Sequence, residues 1–415
     1  MATAAITRAE DVSSARRWTA FAFLMVAEFF YGWSFNTVDV LRPQFRDSLG
    51  LTLVQAGSAY TAQSMGALIG AIVLAQLADR LGRRRLLFWI IAGFGVFGSL
   101  GALVTSYPQL LLQRLVLGFF LGGIFPVLVA SYMSLFPSTM RGKLSALGLG
   151  TYFASGIALG WAYGTQVAQA DFHVLLWAGA LPAVVIAPLV FLFLPDDRHM
   201  KPWGAEVMAP AAGKFPITEL FTPGLRRTTL LLFILVGLNF FSIQAFSGWI
   251  TIYLKDVKNF APGVIAGMLT WQAIGGLLGC FFWGWCSDRF GRRISGIGFF
   301  VAAALVLLYL FVLDGPIALE ISGALWAFMI AASVAWAPWM SELYPPHLRS
   351  TAMSIFHWGR IISMTAPLIT GAIAEAFGLP AAMFLSAAGL FIGGVVWLMI
   401  PETLERRRAP LKPEA

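Results

Sequence analysis

Residues 63–85 read QSMGALIGAIVLAQLADRLGRRR, and the same design returns at residues 272–293 as QAIGGLLGCFFWGWCSDRFGRR. In both copies an apolar stretch with two spaced glycines runs into a short charged loop, and matched residues are 209 positions apart. A second pair of segments shows the same period, because PSTMR at 137–141 matches PPHLR at 345–349 with an offset of 208. The chain therefore consists of two related halves in tandem.

The first copy of the repeat has a clear physical meaning. Gly66 and Gly70 are one turn apart, so they form a small-residue face on which two membrane helices can approach closely. In the loop, Asp79 can accept hydrogen bonds from free backbone N–H groups at a helix start, and Gly82 allows a tight turn. The loop arginines favour a position at the cytoplasmic surface. The repeat thus predicts a pair of membrane helices joined by a cytoplasmic loop in each half.

The composition is that of an integral membrane protein. Hydrophobic residues make up 59% of the chain and charged residues only 12%. Cys280 and Cys286 are six positions apart on one predicted membrane helix, which indicates neither a disulfide nor a metal site, and the four histidines form no ligand cluster. Nucleotide-binding and hydrolase motifs are missing from the sequence. We therefore expect no enzyme activity, no metal and no cofactor.

Twelve apolar segments are each long enough to span the roughly 30 Å of bilayer hydrocarbon. They fall near residues 18–40, 54–78, 86–106, 108–136, 144–168, 173–194, 227–251, 261–285, 294–313, 316–341, 350–376 and 380–400.

The distribution of basic residues predicts the orientation of these spans. With a cytoplasmic N-terminus, 22 of the 28 Lys and Arg residues lie on the inner side and 4 on the outer side. Both termini are then cytoplasmic, and residues 1–17 form a tail rather than a cleaved signal. The same bias explains the net charge of +8 without a nucleic-acid partner.

At this point the chain resembles the major facilitator superfamily, whose loop between helices 2 and 3 often recurs between helices 8 and 9. The resemblance implies an all-α membrane protein with 12 transmembrane helices in two six-helix halves related by a pseudo-two-fold axis. It places the halves at residues 1–194 and 227–415, with residues 195–226 as a Pro-rich cytoplasmic linker. It also implies a monomeric transporter in the inner (plasma) membrane of the cell that works by alternating access.

The end of the last helix narrows the resemblance. Pro401, Glu402 and Thr403 resemble the PET that closes many sugar-porter and organic-acid-porter sequences, and residues 341–345 (SELYP) with Arg349 point to the same metabolite-symporter branch. One feature of that branch is missing. Sugar porters and aromatic-acid symporters carry an acid in a Gly-aromatic-Asp motif of helix 1, where this chain has Ser34.

Charges inside a bilayer are costly and usually functional, and four are predicted here: Glu28, Asp39, Arg114 and Arg360. Arg360 lies about 16 Å into helix 11, near the midplane where transporters bind substrates, and its first-half counterpart is Tyr152. A guanidinium at this depth favours binding of a substrate carboxylate. The alternative is a structural ion pair.

Glu28 lies at a similar depth in helix 1 and is our candidate proton carrier. In sugar porters an acid on helix 1 and an arginine on helix 4 are coupled for proton transport, which implies such a role for Glu28 with Arg114. A static pair between the two is the alternative. Asp39 is the next proton-coupling candidate, although a pair with Arg42 one turn on would explain it as well.

Other polar and aromatic side chains complete the candidate sites. The candidate substrate-binding residues are Arg360, Tyr152, Tyr31, Asn239, Gln244, Trp271, Gln272 and His357. The candidate gating residues, in and near the repeated loops, are Asp79, Arg83, Arg141, Asp288, Arg292, Glu342 and Arg349. Glu342 is interpreted as a brace for Arg141 or Arg349, and its counterpart in the first half is Ser134.

We therefore predict a proton-coupled symporter that takes up a small organic anion, such as a monocarboxylate or an aromatic acid. A sugar or polyol symporter is one alternative, favoured by Glu342, Arg349 and the PET segment but disfavoured by Arg360. A drug-efflux antiporter is another, although a central arginine suits cationic drugs poorly. The expected partners are the anion, protons and the lipid bilayer.

Overall fold

The protein is seen here as a computed structural model that describes residues 7–196, 200, 201, 203, 216–345, 348, 352 and 355–403. It divides into two compact units, Met1–Ala211 and Ala212–Ala415. The point of division lies outside the described residues, so the limits predicted for the two halves and their linker stay a prediction.

Among its described residues, the first unit contains helices and one short pair of strands. Its strands are β1 (Thr7–Arg8) and β2 (Met200–Lys201), and its helices are α1 (Ser14–Val40), α2 (Arg42–Leu49), α3 (Leu53–Leu81), α4 (Arg83–Leu100), α5 (Tyr107–Leu135), α6 (Ser138–Tyr163), α7 (Gln166–Ala170), α8 (His173–Trp177) and α9 (Ala187–Phe193). Its apolar core lies where α1, α4, α5 and α9 pack together.

The described residues of the second unit form helices that are joined by turns and loops. Its helices are α10 (Pro216–Glu219), α11 (Arg226–Phe246), α12 (Ile250–Ile252), α13 (Pro262–Phe290), α14 (Ile297–Phe311), α15 (Pro316–Ile330), α16 (Trp336–Leu343), α17 (Ile355–Ser363), α18 (Ala366–Phe377) and α19 (Leu379–Met399).

Ten helical segments in the described part of the chain are long and apolar enough to cross a membrane. Two further predicted spans correspond to the 27-residue helix α1 and to the pair α17 and α18, which is interrupted before Ala366. Pro367 lies in the first turn of α18, where a proline needs no hydrogen-bond partner. The total of twelve spans stays a prediction, whereas the all-α membrane architecture is confirmed.

Local sequence explains where the repeated segments begin and turn. Thr52 and Gln55 form a capping box at the start of α3, in which each side chain accepts a hydrogen bond from the other residue's backbone N–H. At the end of α3, Gly82 has a φ of 85°, and at the end of α13, Gly291 has a φ of 110°. Side chains disfavour this backbone region, so the glycine of each loop permits the turn that the sequence predicts.

The glycine faces of the repeat pack as predicted, against a neighbouring helix of the same half. A methyl group on Gly66 or Gly70 of α3 would overlap the backbone oxygen of Leu115 or Phe119 on α5. In the second unit, a methyl group on Gly275 would likewise overlap a backbone oxygen of α15. Both helix pairs therefore meet backbone to backbone, which only small residues allow.

The short strands β1 and β2 connect the segment before α1 to the segment after α9. Strand β1 pairs in parallel with β2, with Thr7 opposite Met200. Beyond β2, the backbone N–H of Trp203 donates to the oxygen of Ser134 at 3.0 Å, and the guanidinium of Arg17 lies 4.5 Å from the indole centroid. Trp203 therefore contacts both the end of α5 and the beginning of α1.

Candidate functional site

Arg360 lies in the second unit, where α17 crosses α11 at close range. A methyl group on Gly359 would come within 3.0 Å of the backbone nitrogen of Gly237, so the two backbones nearly touch. The crossing places the Arg360 guanidinium over the ring of Phe240, with 5.7 Å from Cζ to the ring centroid. Arginine binds carboxylates through its in-plane N–H groups, so one side chain can make both contacts.

The other predicted substrate residues of this unit are spread over α11 and α13. Asn239, beside Phe240 on α11, is buried, and its Oδ1 has no hydrogen-bond partner among the described residues. Gln244 is also buried on α11. Gln272 donates from Nε2 to Ser247 Oγ at 3.0 Å and thus joins α13 to the end of α11. Half of the Trp271 surface is exposed, whereas the side chain of His357 lies outside the described residues.

In the first unit, Tyr152 and Tyr31 come together where α6 crosses α1. A methyl group on Gly32 would overlap Ser155 Oγ, so small residues make this crossing close. The rings of Tyr31 and Tyr152 have their centroids 5.9 Å apart, and the Tyr152 hydroxyl donates to Oδ1 of Asn36 at 3.4 Å. Both predicted tyrosines thus belong to one polar aromatic cluster.

Asn36 belongs to this cluster, yet it was not among the residues selected from the sequence. Its Nδ2 donates to the backbone oxygen of Gly32 at 2.8 Å, one turn earlier on α1. The available signal was its spacing, because an amide four residues after Gly32 lies on the same face of the helix.

Glu28 is buried in α1, with 4% of its surface exposed. Its Oε2 atom has no hydrogen-bond partner in the described part of the chain. The phenol of Tyr132 on α5 is close enough for an electrostatic interaction with the carboxyl group. Burying a charged carboxylate with few hydrogen-bond partners is costly.

Arg114 is fully buried on α5, but its contacts do not include Glu28. Its Nη1 donates to Oε1 of Gln63 at 3.4 Å, and its guanidinium lies 5.0 Å from the ring centroid of Phe45. Its Nε and Nη2 atoms have no hydrogen-bond partner among the described residues. The acid with which it interacts electrostatically is Asp39. The static pair between Glu28 and Arg114 is therefore not formed in this structure.

Asp39 pairs with Arg42, as the spacing on the helix suggested. Arg42 Nη2 lies 2.5 Å from Asp39 Oδ1, and the arginine side chain is almost fully buried. Asp39 thus lies within the influence of two buried guanidinium groups, those of Arg42 and Arg114. This arrangement concentrates positive charge around the Asp39 carboxylate.

In the second unit, Arg292 is the centre of the repeated loop. Its Nη2 and Nε atoms donate to the two carboxylate oxygens of Glu342 at 2.7 and 3.3 Å, and Nη1 donates to Asp288 Oδ1 at 2.8 Å. Burial alone lowers the pKa of Arg292, but the hydrogen bonds and charges of Glu342 and Asp288 raise it above its ordinary value. The arginine of the loop itself is therefore one partner of Glu342, and the predicted contacts of Glu342 with Arg141 or Arg349 stay a prediction.

The PET segment fastens the same loop. Glu402 accepts hydrogen bonds from the backbone N–H groups of Arg292 at 3.0 Å and Arg293 at 2.8 Å. Thr403 donates from Oγ1 to Glu342, and its buried position holds the segment against the loop. We expected the aspartate of the loop to accept hydrogen bonds from free backbone N–H groups. In this half, Glu402 accepts hydrogen bonds of this kind.

In the loop of the first unit, the described contacts of two arginines are with backbone oxygens. Arg83 donates from Nη1 to the backbone oxygen of Ala130 at 3.1 Å, and Arg84 donates from Nε to that of Phe191 at 2.6 Å. Ser134 donates to the backbone oxygen of Ser131, so it offers its hydroxyl to the helix and not to the loop. The side chains of three predicted gating residues lie outside the described residues: Asp79, Arg141 and Arg349.

Comparison with known proteins agrees with this architecture. The sequence profile of the Major Facilitator Superfamily matches residues 24–360 and 259–414. The 3-(3-hydroxy-phenyl)propionate transporter of Escherichia coli (strain K12) is 25% identical over 98% of both chains. The cis,cis-muconate transport protein of Acinetobacter baylyi is 22% identical over 91% of this chain and 92% of its own.

A solved structure supports the fold independently. The crystal structure of a bacterial homologue of the human lysosomal transporter Spinster superimposes with a TM-score of 0.75, covering 94% of this chain and 98% of its own. Its sequence identity of 15% carries information on the fold alone. With a profile match across nearly the whole chain and this fold, the protein belongs to the Major Facilitator Superfamily and is a membrane transporter rather than an enzyme.

Proposed function

We propose that this transporter takes up a small organic anion, a monocarboxylate or an aromatic acid, together with protons by alternating access. The proposed location is the inner membrane, with both termini in the cytoplasm. Two relatives that align over nearly their whole length are named for transport of organic acids, a phenylpropionate derivative and a muconate. Proteins with the same fold act on many different substrates. The substrate class therefore has to be inferred from the residues of the candidate site.

The main support for the proposal is the position of Arg360. A guanidinium in a membrane-spanning helix is costly, and its retention favours a functional role. The close crossing at Gly359 and Gly237 sets it beside the ring of Phe240. A cation next to an aromatic face suits a ligand with a carboxylate at one end and an apolar or aromatic body behind it.

The proton is proposed to travel on Glu28, with Asp39 and Arg114 as the linked charges. Glu28 is buried, and its Oε2 has no hydrogen-bond partner among the described residues, so its proton affinity will depend strongly on its surroundings. A change of access that admits water or a cation to Glu28 favours release of the proton. Arg114 is the proposed source of that cation, and it interacts with Asp39 in the present arrangement.

The proposal is tested by ligand-dependent thermal stabilisation of the purified protein, since a ligand stabilises the state that binds it. We expect carboxylates such as 3-(3-hydroxyphenyl)propionate to raise the melting temperature, and neutral sugars and cationic drugs to leave it unchanged. Stabilisation by sugars alone would replace the organic anion with the sugar alternative. Stabilisation by cationic drugs alone would indicate the efflux alternative.

Substitution of Arg360 tests the carboxylate contact directly. Arg360→Ala should weaken anion binding about ten-fold to a hundred-fold, because a charge-assisted hydrogen bond contributes roughly 1.5–3 kcal/mol. Arg360→Lys keeps the charge but loses the paired N–H groups, so its affinity should lie between those of the wild type and the alanine variant. Isothermal titration of the three proteins gives the comparison, and near-native affinity in Arg360→Ala would overturn the assignment.

A further inference from the structure

The segment between α10 and α11 is anchored to the first turn of α11. Leu220 is fully buried, and its backbone oxygen accepts a hydrogen bond from Thr229 Oγ1 at 2.8 Å. The Thr229 hydroxyl also lies 2.8 Å from the hydroxyl of Tyr344, which directly follows α16. Leu220 is therefore held in place both by the burial of its side chain and by its backbone.

The next residue, Phe221, reaches α17. Its ring stacks on the indole of Trp358, with the centroids 6.3 Å apart and the two planes tilted by only 6°. Phe221 is 45% exposed, so the apolar core does not enclose its ring. A stack of this kind is favourable beyond the area that it buries. It connects the segment before α11 to the helix that bears Arg360.

Trp358 and Arg360 lie on opposite sides of the line along which α17 meets α11. Gly359, between them, is the residue that approaches α11, because a methyl group on it would come within 3.0 Å of the backbone nitrogen of Gly237. Successive residues of an α-helix are about 100° apart around its axis. Since Gly359 faces α11, its two neighbours in the chain flank the crossing in opposite directions.

Contacts on both flanks determine the rotation of α17 about its own axis. On one flank, Trp358 stacks on Phe221. On the other, the Arg360 guanidinium lies 5.7 Å from the ring centroid of Phe240. Gly359 has no side chain with which to resist a rotation. Because one turn of helix moves as a unit, a rotation that displaces Arg360 also displaces Trp358, and the stack opposes it.

We propose that Phe221 and Trp358 are positioning residues for Arg360, and that their stack holds the guanidinium where it can bind a substrate carboxylate. The inference rests on the proposed binding of organic anions at Arg360. It gives the end of the predicted linker, residues 195–226, a part in the substrate site. Paired N–H groups bind a carboxylate only in a set orientation, so loss of the stack weakens binding although neither ring contacts the anion.

A double-mutant cycle tests the inference by isothermal titration of the full-length protein with 3-(3-hydroxyphenyl)propionate and with benzoate. Phe221→Leu keeps an apolar side chain but removes the ring, so it should weaken binding of the acid about 2- to 12-fold. Phe221→Tyr keeps the ring and should bind as the wild type does. In an Arg360→Ala protein, Phe221→Leu should cause no further loss, because the group on which the stack acts is gone. A merely structural role would weaken binding equally in both proteins.

Two further variants separate positioning from a general loss of stability. In a Trp358→Leu protein, Phe221→Leu should cause no additional loss, because the stack is already broken. Phe377→Leu is the matched control, since Phe377 lies at the end of α18 in the same unit and is 78% exposed. It should leave the affinity for both acids unchanged.

The outcomes distinguish this inference from the proposed function. If an acid binds but Phe221→Leu leaves its affinity unchanged, or weakens it by the same factor with and without Arg360, the inference is overturned and organic-anion transport stands. An equal loss in Phe377→Leu would also overturn it, because the effect would then be general. If neither acid binds to the wild type, the proposed function fails and the inference fails with it.

Discussion

At the scale of single residues, the buried charges of the first unit divide into two kinds. Asp39 is tied to Arg42 at 2.5 Å and lies within reach of Arg114, so its carboxylate is stabilised where it is. Glu28 is nearly fully buried and has no such partner in the part of the chain that the structure describes. A carboxyl group that gains little from being charged is better suited to carry a proton than one already held by cations.

Replacement of Glu28 by Gln should therefore separate exchange from uphill uptake. The amide mimics the protonated acid, so Glu28→Gln should still exchange substrate across a vesicle membrane, which needs no proton release. It should lose accumulation driven by a pH gradient. Radiolabelled substrate in reconstituted vesicles measures both activities.

Asp39→Asn is the matched comparison, because it removes the other carboxylate of the same helix. It should reduce thermal stability by leaving Arg42 buried without its ion pair. Should Glu28→Gln keep pH-driven accumulation while Asp39→Asn loses it with its fold intact, the proton role would belong to Asp39.

Single residues also show which contacts could be predicted from the sequence and which could not. The burial of Glu28 agrees with its predicted place inside helix 1, and the pair of Asp39 with Arg42 followed from their spacing. The contact of Arg114 with Gln63 did not, because it depends on the rotation of α5 against α3. Asn36 escaped notice for a similar reason, since its partner Tyr152 is 116 positions away in the chain.

At the scale of elements, the pairing of α3 with α5 rests on backbone contact. Gly66 and Gly70 meet the carbonyls of Leu115 and Phe119 with no room for a methyl group. The spaced glycines predicted a close helix contact, and this is confirmed. The sequence did not predict which helix would be the partner, because the spaced glycines identify only one of the two helix faces in contact.

Gly70→Ala should accordingly destabilise the protein by about 1–3 kcal/mol, since the added methyl group forces the two helices apart. Gly284→Ala is the matched control, because the added methyl group on this glycine of α13 meets nothing within 4 Å. Thermal unfolding of the two purified variants gives the comparison. A Gly70→Ala protein as stable as the control would mean that α3 and α5 pack less closely than described.

At the scale of the whole molecule, the two halves share a sequence pattern but differ in some residues beside their loops. In the second unit, Arg292 is bound by Glu342 and Asp288, and Glu402 accepts from the backbone N–H groups of Arg292 and Arg293. In the first unit, one described contact of Arg83 is with the backbone oxygen of Ala130, and Ser134 stands where the second unit has Glu342. The repeat predicted both loops and their glycine turns, but a repeat cannot predict partners that only one half retains, such as Glu342.

Glu402→Gln should loosen only the second loop. The amide keeps the size of the side chain but loses its charge, so amide exchange at Arg292 and Arg293 should quicken by about ten-fold to a hundred-fold. Substrate affinity should not change, because the loop lies far along the chain from the candidate binding residues. Hydrogen–deuterium exchange with mass spectrometry measures the effect.

The first loop serves as the internal control for this experiment. Exchange in residues 83–87 should stay as in the wild type. Equal acceleration in both loops would indicate a general loss of stability, and no acceleration in either would remove the role of Glu402.

The backbone contact between α3 and α5 also bears on how the protein is made. Gly66 and Phe119 are 53 positions apart, with all of α4 between them. At about 5–20 residues per second, α3 waits roughly 3–10 s in the membrane before its partner has been synthesised. During that interval its glycine face has only lipid or earlier helices to contact. Because the second unit pairs α13 with α15 in the same way, this waiting period occurs twice during the synthesis of each chain.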